Sequence, residues 1–169
     1  MRTYTAQEIV DTVWMAYGPL GLPRSSRSGT CRYAGPGGTG CAVGVLVSRD
    51  VAEAMDRHQV GNVSTFIDRF TRGGGRWVPK PLTEAARAFE PHGRLLLALQ
   101  QAHDIGRVPG ASVGYAVGEP GVLAEAVRAV AAHHGLLDPA RHENDDVDAR
   151  LADLLGEAFR ETHDNLIPA

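Results

Sequence analysis

Lysine occurs once in this chain, at Lys80, and no apolar run approaches the roughly 18 residues of a membrane-crossing helix. Arginine carries nearly all the positive charge. The net charge of −3 and a pI near 6.1 leave the chain without the clustered basic surface of a nucleic-acid binder. Aromatic residues make up only 6%, which predicts a mainly aliphatic interior. Cysteine occurs twice, at Cys31 and Cys41. The N-terminus, Met1-Arg2-Thr3-Tyr4-Thr5, lacks an apolar export core. Together with the low cysteine count, this predicts a reduced, cytoplasmic protein. No Gly-Lys-Ser/Thr phosphate loop is present, and no internal repeat.

What remains is an ordinary globular composition: 169 residues, 43% hydrophobic and 22% charged, enough for one domain with its own core. Thr5-Ala6-Gln7-Glu8 has the pattern of a capping box. The helix it predicts has Ile9, Val13 and Tyr17 on one face with Val10 and Trp14 beside them, and ends at Gly18-Pro19. A polar loop follows to Gly29.

The clearest stretch is Thr30 to Val47, which reads as a tight β-hairpin turning at Pro36. That register places Cys31 across from Cys41. Cys31 and Tyr33 share a face with Cys41, Val43, Val45 and Val47, and Arg32, Ala42, Gly44 and Leu46 take the other. The second strand is apolar on both faces, so it is expected to be covered on both sides. Gly44 within it predicts a bulge or the close approach of another backbone.

Helices are predicted from Asp50 to about His58, and again after Ser64, read as a cap, carrying Phe66, Ile67 and Phe70. Thr71 to Pro81 is a Gly- and Pro-rich break. Leu82 to Ile105 is helical with an interruption at Pro91, and Leu96, Leu99 and His103 share one side. Gly106 to Gly118 reads as loop, with a short extended piece at Ser112 to Val117. Pro120 suits the first turn of a helix that closes on Gly135. Asp138 to Asp148 reads as an acidic linker, and Leu151, Leu154, Leu155, Ala158 and Phe159 as the stripe of a last helix.

The expected architecture is therefore α+β: a small antiparallel β-hairpin or sheet packed among five or six helices in a single domain. Residues 1–138 form its core, and residues 139–169 are an acidic linker and a C-terminal helix packed on the same domain.

Gly35-Pro36-Gly37-Gly38-Thr39-Gly40 matches G-x-G-x-x-G letter for letter, but a dinucleotide loop must open a helix, and here an apolar strand is expected to follow. The loop is read as a glycine-rich turn. Cys31 and Cys41 have three readings: buried hydrophobes, a redox-sensitive disulfide across the strand pair, or a thiolate nucleophile or zinc ligand. Their separation is too long for a zinc knuckle.

His103-Asp104 ends the strongest helix. It reads either as a histidine favoured by the helix C-terminus or as a general base with a carboxylate beside it. Neighbouring helical residues point about 100° apart, so Asp104 is expected to be poorly placed to orient His103. His92 is available for a metal site, but its spacing signal is weak. Glu143 to Asp148 lacks the glycine and the final glutamate of a calcium loop. The candidate set is thus Cys31, Cys41 and His103 for catalysis, with Tyr33, Asp104 and Arg32 for binding, and no metal or cofactor.

The sequence Cys-x-Tyr, a glycine-containing turn, then Cys-Ala-Val-Gly-x-Leu-Val-x-x-Asp resembles a family of small uncharacterised proteins of phages and bacteria. In that family a helix ending Leu-Gln-x-x-His-Asp follows, here Leu99-Gln100-Gln101-Ala102-His103-Asp104, and then a helix closing on Gly-Leu, here Gly135-Leu136. The order agrees from about Thr5 to Leu136. The resemblance implies a shared fold and brings no established activity. This chain departs from the pattern at Ala34, where the family usually has arginine. It departs again at Val60-Gly61, where Glu-Gly is frequent, and at Val122 or Leu123, near a common tryptophan.

Two functions from different classes follow. One is a small cytoplasmic accessory or binding protein that presents a surface to a small molecule or a protein. The other is a cysteine-dependent enzyme of acyl or thiol chemistry, using a hairpin cysteine with His103. Neither involves nucleic acid or membrane, and either is compatible with an oligomer.

Overall fold

The computed structural model describes residues 2–18, 26–27, 30–35, 40–72, 79–105, 108 and 120–142. Six α-helices make up most of them: α1 (Ala6–Tyr17), α2 (Arg49–Arg57), α3 (Val63–Thr71), α4 (Lys80–Phe89), α5 (Gly93–Ile105) and α6 (Pro120–His133). Short 3-10 turns at Gly44–Leu46, Glu90–His92 and Pro139–His142 complete the order.

α1 lies at the centre. Its capping box forms as the sequence predicts: Glu8 N–H donates to Thr5 Oγ1 at 3.2 Å, and Thr5 N–H donates to Glu8 Oε2 at 2.7 Å. Every residue from Ile9 to Tyr17 is buried, including Asp11 and Thr12. A helix buried on all sides must be surrounded. α6, the turn at Gly44–Leu46 and the turn at Pro139–His142 all pack on it.

The other helices form a second group, with α3 packed against α4 and α5, α2 against α4, and α5 against α6. Phe66, Phe89, Met55, Leu82, Leu96 and Leu99 fill the space between them. Pro91 interrupts the long helical stretch where expected, since proline removes an amide donor, and a 3-10 turn there joins α4 to α5. α6 begins at Pro120 and ends in a Schellman motif. Gly135 has φ +67°, Leu136 N–H donates to the Ala131 carbonyl at 2.9 Å, and Gly135 N–H donates to the Ala132 carbonyl at 3.1 Å.

Two helix starts differ from the sequence reading. Asn62, rather than Ser64, caps α3 by accepting from Thr65 N–H at 2.9 Å, and Ser64 lies inside the helix. α2 starts at Arg49, after Ser48. α2 also ends in a Schellman-type turn, with Val60 N–H on the Met55 carbonyl at 3.3 Å and Gln59 in a left-handed conformation, φ +48°.

The expected α+β fold is overturned: the protein is helical, and the β-hairpin from Thr30 to Val47 does not form. Among the described residues the extended pairing is confined to β1 (Ser26–Arg27) and β2 (Thr30–Cys31), two residues each and antiparallel. Cys41 to Val47, expected as the second strand, winds into consecutive turns. Val45 N–H donates to the Cys41 carbonyl at 3.2 Å, and Leu46 N–H to the Val43 carbonyl at 3.1 Å. A short apolar run buried on every side satisfies a strand or a helical turn equally, and periodicity does not separate the two.

The expected cysteine pair falls with the hairpin. Cys41 is a free, buried thiol, and its amide donates to the Arg32 carbonyl at 3.0 Å. Winding the chain at Cys41 removes the strand register that would have set one cysteine opposite the other. The expectation for Gly44 holds in a different setting. It meets the backbone of Tyr33, where an added Cβ would lie 2.0 Å from the Tyr33 carbonyl oxygen.

The extended piece at Ser112 to Val117, the glycine turn at 36–39 and the last helix lie outside the described residues. Of the expected acidic linker, residues 138–142 are described, with Pro139–His142 a 3-10 turn packed on α1. No helix among the described residues is long and apolar enough to cross a membrane.

Candidate functional site

His103 lies in the last turn of α5 and is 3% exposed. Its Nδ1 is 2.8 Å from Asp104 Oδ1. An ionised carboxylate only accepts, so Nδ1 carries the hydrogen and donates it. This corrects the expectation that adjacent helical residues point too far apart to bond: the Asp104 side chain folds back onto its neighbour at the helix end. The resulting pair is graded in exposure, with the His103 side chain at 2% and that of Asp104 at 26%. His103 Nε2 is shut off from solvent.

The residue that links His103 to the 40–46 segment is Tyr17, which sequence reading placed only as a core position of α1. Its ring lies 5.0 Å from the imidazole, centroid to centroid, at a tilt of 53°. Its hydroxyl donates to the Gly40 carbonyl at 2.6 Å. Gly40 precedes Cys41, so Tyr17 ties the end of α5 to the cysteine's own backbone. The Cys41 side chain is 0% exposed and takes no hydrogen bond among the described residues.

Tyr33 is buried as well. Its amide and that of Ala34 donate to the two oxygens of Asp56, at 2.9 and 3.0 Å. Its hydroxyl donates to the Gly61 carbonyl at 2.7 Å. One carboxylate from α2 thus holds two successive amides of the 30–35 segment, a clamp that leaves no periodic trace in the sequence. Arg32 has an exposed side chain, and its carbonyl receives the Cys41 amide.

Gln100 explains another part of the Leu-Gln-x-x-His-Asp stretch. It is buried, and its Oε1 accepts from Val63 N–H, the first residue of α3, at 2.8 Å. One face of α5 therefore supplies a helix cap through Gln100 and the His103–Asp104 pair one turn later.

The structure thus brings Tyr17, His103 and Asp104 together and places Cys41 one residue from the Tyr17 acceptor. Among the described residues no group of three or more His, Cys, Asp or Glu side chains is arranged to hold a metal ion. A shallow groove of about 390 Å³ opens elsewhere, between the N-terminal segment and α4, lined by Thr3, Glu84, Arg87, Ala88, Pro91 and His92. His92 is anchored there through Nε2 to the Tyr4 carbonyl at 2.8 Å. Neither Cys41 nor His103 lines that groove.

No family model, no curated protein and no solved structure matches this chain.

Proposed function

We propose that the protein is a small accessory or binding protein that acts by presenting a helical surface, in the cytoplasm, to a protein partner. The observation that carries this reading is the complete burial of Cys41, one of the two thiols proposed as the nucleophile. A nucleophile must meet its substrate, and catalytic thiols sit in partly exposed, electropositive surroundings. Cys41 instead packs within the aliphatic core beside Ala42 and Val43. A free cysteine used as a small hydrophobe suits a reducing compartment.

The His103–Asp104 bond is the one observation that favours the second reading, a cysteine-dependent enzyme, because it would set the imidazole's tautomer for base catalysis. Timed iodoacetamide labelling with peptide mapping separates the two. Under native conditions at neutral pH, Cys31 and Cys41 both stay unmodified while the urea-unfolded chain is labelled at once. Rapid native labelling of either cysteine that rises with pH would sink the binding reading and favour the enzyme.

A further inference from the structure

The groove between the N-terminal segment and α4 has walls from three separate parts of the chain. Thr3 lies on one side, Glu84, Arg87 and Ala88 stand on α4, and Pro91 and His92 come from the turn that follows it. One hydrogen bond joins two of these parts. A carbonyl only accepts, so His92 Nε2 donates to the Tyr4 carbonyl, at 2.8 Å, and ties down the segment that carries Thr3.

Charge sets this groove apart from the rest of the surface. Arg49, Arg72, Lys80, Arg128 and Arg141 each reach a carboxylate of this chain. Arg69 donates to the His58 carbonyl. Arg87 and Arg94 are exposed and have no hydrogen bond or ion pair among the described residues. Of these two, Arg87 lines the groove and Arg94 does not. Glu84 also lines it, but its carboxylate faces Lys80 at 3.6 Å, which offsets its charge. A guanidinium presents a planar fork of donors that takes a carboxylate through two parallel bonds. Thr3 adds a hydroxyl to the same groove, and Ala88 and Pro91 give apolar surface for the stem of an acidic side chain. The groove is open, which suits a side chain carried on a protein better than an enclosed small ligand.

We propose that the partner docks in this groove and presents acidic side chains to it, with a Glu or Asp carboxylate seated on Arg87. This names the partner chemistry of the surface-binding reading above and rests on it.

The test uses the full chain and a fluorescein-labelled hexaglutamate peptide, followed by anisotropy. The chain's net charge is −3, so general attraction to an acidic peptide is not expected. Wild type should bind hexaglutamate saturably and should not bind hexaglutamine. Arg87→Gln should weaken binding at least about tenfold, and Arg87→Lys, which keeps the charge but not the fork, should recover part of that loss. Arg94→Gln removes the same charge from outside the groove and should change binding less than about twofold. Both arginines are exposed, so circular dichroism should show each variant folded. Equal losses in Arg87→Gln and Arg94→Gln overturn the site, as does hexaglutamine binding as well as hexaglutamate. A wild-type dimer that Arg87→Gln separates, seen by sedimentation, would make the occupant a second copy and overturn a separate partner. If the peptide fails to bind while both cysteines stay inert to iodoacetamide, only this site is lost and the surface-binding reading stands.

Discussion

Gly44 lies against the carbonyl of Tyr33 so closely that a Cβ at position 44 would stand 2.0 Å from that oxygen. Two backbone segments meet there with no side chain between them, and neither side of the contact is a flexible atom that could swing away. Gly44→Ala is expected to cost about 3 kcal/mol or more, read as a lower urea midpoint. Gly93→Ala is the contrast. Gly93 opens α5, and its notional Cβ makes only an ordinary 3.4 Å contact with Ile67, so alanine there should be neutral or stabilise by up to about 1 kcal/mol.

Gln59 takes the left-handed position after α2, at φ +48°, where residues with a Cβ are strained. It is exposed, so its side chain contributes little packing in return. Gln59→Gly should stabilise the protein by about 1 kcal/mol, measured by urea or thermal unfolding. A loss of stability would mean that the glutamine side chain makes a contact worth more than the strain.

Tyr17 and Thr12 both carry buried hydroxyls on α1, with opposite expected outcomes. The Tyr17 hydroxyl satisfies the Gly40 carbonyl, so Tyr17→Phe should cost about 1–3 kcal/mol by stranding a buried acceptor. Thr12 Oγ1 has no hydrogen-bond partner among the described residues. Thr12→Val keeps the shape and removes the polar atom, so it should stabilise by up to about 1 kcal/mol. Equal losses in the two variants would refute the distinction.

Glu8 is held below the usual glutamate range, first by the Thr5 amide, then by the Thr5 hydroxyl and Arg2. A carboxyl whose folded pKa is depressed stabilises the fold above its unfolded value, near 4.5, and loses that contribution as pH falls through the folded value. The stability gap between wild type and Glu8→Gln should therefore be widest near neutral pH and close below the unfolded value. Asp138 is lowered by Arg128 in the same sense, so the comparison with Glu8→Gln is needed to isolate Glu8. A gap that does not change between pH 7 and pH 3 would show that the capping box acts without its charge.

Much of the helical framework was legible in the residues, because its signals are local. Thr5 and Glu8 sit three apart, where capping requires them, and Pro120 and Gly135 bracket α6. The site was legible only in part. His103 and Asp104 were singled out, but their bond was not expected, since a rigid helical angle ignores the freedom of a short side chain in the last turn. Tyr17 was hidden because a tyrosine at helical spacing looks like any other core residue.

The sequence by itself determined the start of α1 and the bounds of α6, since caps, prolines and glycines act through bonds to residues within a turn of themselves; the starts of α2 and α3 it placed one or two residues late. For Gly44 it left a bulge or the close approach of another backbone, and the structure shows the second. Only the tertiary structure decided that Cys41 to Leu46 is wound rather than extended. A run apolar on every side gains the same burial either way, and the choice passes to what surrounds it. Here those surroundings are α1 packed against Gly44–Leu46, Tyr17 bound to Gly40, and the Tyr33 backbone pressed onto Gly44.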